Sequence, residues 1–118
     1  MAEIKRGDIW LVNLDPTIGH EIKKSRPAVI IQNDLGNRYS PITIIAPITS
    51  KNIEKIYPIE VLLTKRNSGL GKDSKVLLNQ IRAIDKLRLI KKLGRADSET
   101  MSKIDNSIKI SLGLVYIN

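Results

Sequence analysis

The stretch "KKSRPAVIIQND" (residues 23–34) decides the fold of this chain. Residues 28–31 form an uninterrupted apolar run, bounded by a proline on one side and a turn on the other. This pattern predicts a short buried strand over residues 27–33. Pro27 has a fixed φ and biases the preceding residue toward an extended conformation. Arg26 therefore enters a buried strand in a constrained direction, and the group that it faces has to be identified.

Apolar segments recur along the chain and predict a sheet around this strand. Further strands are predicted over residues 8–14, 42–49, 57–64 and 75–85, while 88–96 fits either a short strand or a helical turn. Polar segments with glycine or proline predict loops at 15–25 and 65–74, and a turn or short helical connection at 34–41. Pro47 lacks an N–H, so it is expected at a sheet edge or at a bulge. Polar residues at 79–80 predict a kink within the 75–85 strand.

The C-terminal segment has the period of a helix. Apolar residues recur there at steps of three or four, at Met101, Ile104, Ile108, Leu112 and Val115. Asp97 can cap the first turn, so we predict an amphipathic helix over about 98–115. Short strands followed by one helix predict a mainly β, α+β fold, a strongly bent sheet or barrel with the helix packed on it. The 118 residues suit a single domain, 1–118.

Composition narrows the possible functions. Lysine and arginine number 20 against 12 acidic residues, a net charge of +8, which fits a polyanion partner as well as a merely basic protein. One Trp, three Tyr and no Phe argue against a platform of stacked bases. The absence of cysteine excludes a disulfide framework, and a single histidine argues against a His-based metal site. No signal-peptide core or membrane-length apolar run is present, so we expect a soluble cytoplasmic protein.

Two features offer donors for a phosphate. The guanidinium of Arg26 is a planar fork that matches phosphate oxygens, although a structural ion pair with Asp8 or Glu21 is an alternative. Thr49 and Ser50 end an apolar strand, and their hydroxyls can either donate to a phosphate or cap the strand.

Two further features suit a nucleic acid. Asn79 and Gln80 carry both donors and acceptors, as reading a base edge requires, but they also fit a hydrogen-bonded core amide or a bulge. Arg82 can touch phosphate or pair with Asp85. His20 can act as a general acid or base, or can simply be a surface residue. Phosphate-loop, zinc-protease and hydrolase motifs are absent, so an enzyme here is expected to need no metal.

These blocks together resemble the MazF/PemK (Kid) family of toxin endoribonucleases. The resemblance is carried, in order and over almost the whole chain, by "KRGDIWLVNLDPTIGHE", "RPAVIIQND", "GNRYSP", "APIT" and "LLNQIRAIDKLRL". It implies an SH3-like, partly open β-barrel with a C-terminal helix, assembled as a homodimer. It also implies sequence-specific cleavage of single-stranded RNA without metal or cofactor, leaving 2′,3′-cyclic phosphate and 5′-OH ends. A cognate antitoxin would cover the RNA groove with an acidic, partly disordered segment.

The resemblance assigns roles to individual residues. The family's catalytic arginine and threonine fall on Arg26 and Thr49. Arg26 stays protonated and cannot be a base, so it would bind the scissile phosphate and stabilise the transition state. RNA-binding roles fall on His20, Lys23, Lys24, Ser25, Ser50, Asn79, Gln80 and Arg82. Relatives often have glycines where residues 23–25 stand here, and one branch of the family uses an Arg and an Asp where this chain has Leu77 and Asn79.

Two other functions stay open from the sequence. A CcdB-like gyrase poison shares the fold and has no nuclease activity, but it presents a C-terminal tryptophan. This chain ends "LVYIN" and its one tryptophan is Trp10. A catalytically inactive module that binds RNA or a partner is the third possibility, and the retention of Arg26 and Thr49 argues against it.

Overall fold

The computed structural model describes residues 3–22 and 24–116. Within them the strands are β1 (Asp8–Asn13), β2 (Ser25–Ile30), β3 (Ile42–Thr49), β4 (Glu60–Leu63), β5 (Ser74–Leu77), β6 (Arg82–Asp85) and β7 (Leu89–Arg95). The helices are α1 (Asp34–Tyr39), α2 (Lys65–Ser68) and α3 (Ser98–Ser111), with a 3₁₀ turn at Lys86–Arg88. The seven described strands pair antiparallel in the order β4-β5-β3-β2-β1-β7, and β6 also pairs with β3.

Both faces of the sheet are covered by apolar clusters. One cluster is formed with α3 and includes Ile9, Val29, Ile48, Val76 and Ile104. The other includes Trp10, Val12, Ala28, Ile45 and Ile84. Neighbouring residues of β2 enter different clusters because side chains alternate between the faces of a strand. A strand buried on both faces is apolar without interruption, as predicted here from residues 28–31.

The predicted single strand over 75–85 is wrong, because a turn divides it into β5 and β6. The Gln80 N–H donates to the Leu77 carbonyl at 3.2 Å and closes this turn. Both halves pair with β3, which faces β6 over residues 42–45 and β5 at residues 48–49.

Pro47 was predicted at a sheet edge or at a bulge; it lies in the interior of the sheet, so the edge position is wrong, and it falls at an interruption of the pairing. It is buried and lies opposite Ala28 of β2. On the other side of β3, Pro47 falls between the part that pairs with β6 and the part that pairs with β5. A residue without an N–H is tolerated at this place because the ladder is already interrupted there.

Helix α3 begins as predicted and ends earlier. The Asp97 carboxylate accepts a hydrogen bond from the Thr100 N–H at 2.8 Å, so the predicted cap is confirmed. Gly113 adopts φ +74°, a left-handed conformation that glycine tolerates and that stops the helix. Leu112 and Val115, predicted on the core stripe, are therefore exposed beyond the helix. The described residues contain no helix long and apolar enough to cross a bilayer.

Candidate active site

Arg26 and Thr49 lie at neighbouring strand ends on one face of the sheet. Ala28 of β2 faces Pro47 of β3, and Arg26 and Thr49 each lie two residues further toward the end of their strands. Steps of two residues keep a side chain on the same face of a strand. The topology therefore brings a guanidinium and a hydroxyl, 23 positions apart in sequence, to one edge of the fold.

The Thr49 hydroxyl is nearly buried and oriented by the following loop. Thr49 is 9% exposed, and its Oγ1 accepts a hydrogen bond from the Lys51 N–H at 3.2 Å. A hydroxyl that accepts one hydrogen bond still has its own proton to donate. Thr49 can therefore act as a donor to a phosphate oxygen, while Ser50, the next residue, is exposed beside it.

A cavity of about 220 Å³ opens beside Arg26, and Ser50 and Lys72 also line it. Lys72 was missed from the sequence, where residues 65–74 form only a polar, glycine-bearing loop. The structure orders this loop, because Ser74 Oγ donates to the Lys72 carbonyl at 3.1 Å and Asp73 accepts from the Lys65 N–H at 2.8 Å. Two cations and two serines, Ser50 and Ser74, are thus among the residues that line one small cavity, a set of donors that suits a phosphate. The one sequence signal for Lys72 was a cation placed between glycine and a strand.

A second cavity, of about 590 Å³, gathers most of the remaining predicted residues. His20, Asn79, Gln80 and Arg82 all line it, together with Glu21 and neighbouring apolar residues. His20 comes from the β1–β2 loop and the other three from the turn and strand that follow β5. Amide and imidazole side chains from two separate segments therefore line this cavity together.

Gln80 and Arg82 also hold the β1–β2 loop in place. Gln80 Oε1 accepts a hydrogen bond from the Ile22 N–H at 2.8 Å, and Arg82 Nη1 donates to the Leu14 carbonyl at 3.1 Å. Asp85, the alternative partner considered for Arg82, accepts instead from the backbone of the 3₁₀ turn. The Gln80 amide is therefore hydrogen-bonded within the protein, which was the structural alternative, and it also lines the cavity.

Lys24 and Ser25, the two residues directly before Arg26, are exposed. Lys24 has φ +71°, and its N–H donates to Asp15 Oδ1 at 2.9 Å while its carbonyl accepts from the Leu14 N–H at 3.1 Å. Ser25 is exposed at the start of β2. Lys23, predicted to bind RNA, lies outside the described residues.

Asp8, one possible ion-pair partner of Arg26, is fully buried and bound to β7. Its carboxylate lies 2.8 Å from Arg95 Nη1 and 3.4 Å from Lys92 Nζ. Among the described residues, no three His, Cys, Asp or Glu side chains come together in a group that could hold a metal ion.

Comparison with known proteins assigns the family. The model of the PemK-like, MazF-like toxin of type II toxin-antitoxin systems matches residues 5–112. The chain belongs to this family. Endoribonuclease EndoA of Bacillus subtilis (strain 168) is 43% identical over 112 residues, which cover 95% of this chain and 97% of that protein.

Solved structures of MazF proteins share the fold. MazF from Deinococcus radiodurans superimposes with a TM-score of 0.81 at 26% identity, covering 96% of this chain and 99% of that one. A mycobacterial endoribonuclease in complex with its cognate antitoxin gives a TM-score of 0.80 at 22% identity, covering 97% and 99%. The predicted α+β fold, an SH3-like partly open β-barrel with a C-terminal helix, is thereby confirmed, and the seven-stranded antiparallel sheet of the described residues does not close into a full barrel.

Proposed function

We propose that this chain is the toxin of a type II toxin–antitoxin system and inhibits translation by cleaving single-stranded mRNA at a specific sequence, without metal or cofactor. The observation that carries the proposal is the strand register that puts Arg26 and Thr49 on one face of the sheet, together with a cavity that Arg26 lines with Lys72 and Ser50. Membership of the toxin family and 43% identity to an endoribonuclease support the same activity.

The reaction is attack of a ribose 2′-OH on the adjacent phosphorus. The new P–O2′ bond replaces the P–O5′ bond, so a 2′,3′-cyclic phosphate and a 5′-OH result. One proton leaves the 2′-oxygen and one joins the 5′-oxygen, so the step consumes no net proton. The transition state carries more negative charge on the non-bridging oxygens than the substrate does.

Arg26 and Thr49 stabilise that added charge. The Arg26 fork binds the non-bridging oxygens as a cation and cannot act as a base, while Thr49 donates one hydrogen bond. His20 lines the second cavity and belongs with the residues that bind RNA. A preorganised hydrogen-bond donor such as the Thr49 hydroxyl contributes about 10²–10³-fold to kcat.

The surface around the two catalytic residues binds the RNA strand. Lys24 and Lys72 contact backbone phosphates, as does Lys23, and Ser25 and Ser50 donate from the strand ends. Asn79 and Gln80 present amides to base edges at the second cavity, which is where sequence preference arises. Arg82 contributes charge there while it holds the loop.

The protein acts as a cytoplasmic, single-domain homodimer. Exposed apolar side chains on β4 and after α3, including Leu62, Leu112 and Leu114, support self-association. The net charge of +8 favours an antitoxin whose acidic, partly disordered segment covers the RNA-binding surface. Light scattering tests the dimer, because a monomer at micromolar concentration would contradict it.

Incubation of the purified protein with a long RNA in EDTA, followed by mapping of the cut ends, tests the activity. We expect cuts at one short sequence with cyclic phosphate and 5′-OH ends. Intact RNA would refute the nuclease, and cleavage that EDTA abolishes would refute the metal-free mechanism. Thr49→Ser should retain most activity, Thr49→Ala should lose about 10²–10³-fold in kcat, and Arg26→Ala should lose more.

The gyrase-poison alternative is not favoured. Trp10 is 7% exposed within an apolar cluster and therefore cannot serve as a surface anchor for another protein. The same purified protein should trap no gyrase–DNA complexes.

A further inference from the structure

A buried ion pair lies next to Thr49. Lys75 Nζ is 2.9 Å from Glu60 Oε1, and their side chains are only 6% and 11% exposed. Lys75 of β5 lies directly opposite Thr49 of β3, so their Cβ atoms are about 4.5–5.5 Å apart on the same face. A buried ion pair is often no more stabilising than two apolar side chains of similar size, because both charges lose their hydration. Stability alone therefore does not explain why the pair is placed here.

The pair holds the loop that connects β3 to β4. Glu60 Oε1 accepts a hydrogen bond from the Tyr57 N–H at 3.1 Å, and Lys75 Nζ donates to the Lys55 carbonyl at 3.4 Å. Both ammonium groups lie over the Tyr57 ring, Lys55 Nζ at 5.1 Å and Lys75 Nζ at 6.0 Å from its centroid. The two charged side chains thus bind the C-terminal half of the β3–β4 loop, and this loop begins directly after Thr49.

We propose that Lys75 and Glu60 are positioning residues for the cleavage reaction: they fix the β3–β4 loop so that the Thr49 and Ser50 hydroxyls stay directed at the scissile phosphate. This inference rests on the proposed nuclease function. Lys75 is 5% exposed and its ammonium is bound to Glu60, so neither residue contacts the RNA. Their loss should therefore lower kcat and leave KM for the RNA nearly unchanged.

The double variant Lys75→Met/Glu60→Leu replaces the ion pair by apolar side chains of similar length. Cleavage is measured in EDTA on a short single-stranded RNA that carries the mapped site. We expect kcat to fall about 10- to 100-fold with KM within about threefold, because small displacements of catalytic groups cost that much. The matched control is Lys103→Met, which breaks the exposed Lys103–Glu99 pair at 4.0 Å, with side chains 67% and 82% exposed, and should leave kcat unchanged.

Glu60→Gln is a second variant that keeps the shape of the side chain and removes its charge; because it leaves the Lys75 ammonium without a counter-charge, its folding is verified by circular dichroism at low temperature before cleavage is measured. Hydrogen exchange should become faster at residues 51–57 and stay unchanged in β1 and β2, with kcat reduced. Wild-type kcat in the double variant, or in Glu60→Gln, would overturn the inference, as would unchanged exchange in the loop. If the wild-type protein cleaves no RNA, the nuclease proposal fails, whereas the exchange experiment still decides whether the pair holds the loop.

Discussion

Replacing Lys24 by glycine is expected to stabilise the protein and to weaken RNA binding. Lys24 has φ +71°, where a side chain costs about 1–2 kcal/mol relative to the right-handed region. Glycine removes that cost, but its greater conformational freedom stabilises the unfolded state by about 0.5–1 kcal/mol. The free energy of unfolding should therefore rise by about 0.5–1 kcal/mol. The two backbone hydrogen bonds of this residue, to Asp15 and from Leu14, persist in the variant.

The gain can be measured by thermal unfolding. For 118 residues the unfolding entropy is about 0.25 kcal/mol/K, so Tm should rise by about 2–4 °C. Lys24→Ala is the matched control, since it removes the same charge and keeps a Cβ in the left-handed conformation. Its Tm should stay at or below that of the wild type. Equal Tm values for the glycine and alanine variants would refute the strain argument.

The two Lys24 variants should differ in stability but not in RNA binding. Both variants should bind RNA more weakly, and to the same extent, because both lose one cation. With an RNA that carries a 2′-deoxy nucleotide at the cleavage site, the slope of log K against log salt should become shallower by about 0.7. An unchanged slope would remove Lys24 from the RNA-binding surface.

Three further predictions concern stability. A Cβ on Gly94 would lie 2.1 Å from the Ser68 carbonyl oxygen, so Gly94→Ala should lower stability by about 1–3 kcal/mol, whereas Gly71→Ala, with nothing within 4 Å, should leave Tm unchanged. The hydrogen bond from the Thr100 N–H lowers the pKa of Asp97 below 3.8. The contribution of the Asp97 carboxylate to folding stability is therefore present above that pH and is lost as the pH falls through the folded pKa. In a pH series, the Tm difference between wild type and Asp97→Ala should shrink below about pH 4. Arg82→Ala should cost about 1–2 kcal/mol in urea unfolding, because the Leu14 carbonyl loses its donor; lost RNA affinity without lost stability would show that Arg82 acts on the RNA alone.

The strands and the terminal helix could be predicted because their signals are local. The apolar run 28–31, the cap at Asp97 and the helical period after it each depend on residues a few positions apart. The errors arose where a distant segment decides the outcome. Pro47 is tolerated inside the sheet only because β5 and β6 divide their pairing with β3 at that point. The end of α3 is a local error instead, because the helix stops at Ser111, just before the left-handed Gly113, although the apolar period continues.

In the candidate site, too, some residues have a local sequence signal and others are distinguished only by contacts with distant segments. Amides at 79–80 interrupt an apolar run, and that interruption could be seen in the sequence. Lys72 and Lys75 are three positions apart in a basic chain, and no local pattern distinguishes them. Their surroundings do: Lys72 lines an open cavity with Arg26, whereas Lys75 is buried against Glu60, 15 positions earlier.

Arg26 is another residue whose role its own sequence neighbourhood does not determine. An arginine before a proline at the start of a strand fits an ion pair as well as a phosphate site. The proposed assignment to a phosphate rests on the pairing of β2 with β3, which brings Thr49 to the same face, and on the cavity that Arg26 lines with Ser50 and Lys72. Asp8, one of the two carboxylates that the sequence offers as a partner, is bound to cations of β7. A second cation and two hydroxyls around a guanidinium complement an anion with several oxygens, which a backbone phosphate supplies. The chemistry of the site therefore depends on strand register, and a change that shifts the β2–β3 register by one residue would turn Thr49 to the opposite face from Arg26 and abolish the site with both residues still present.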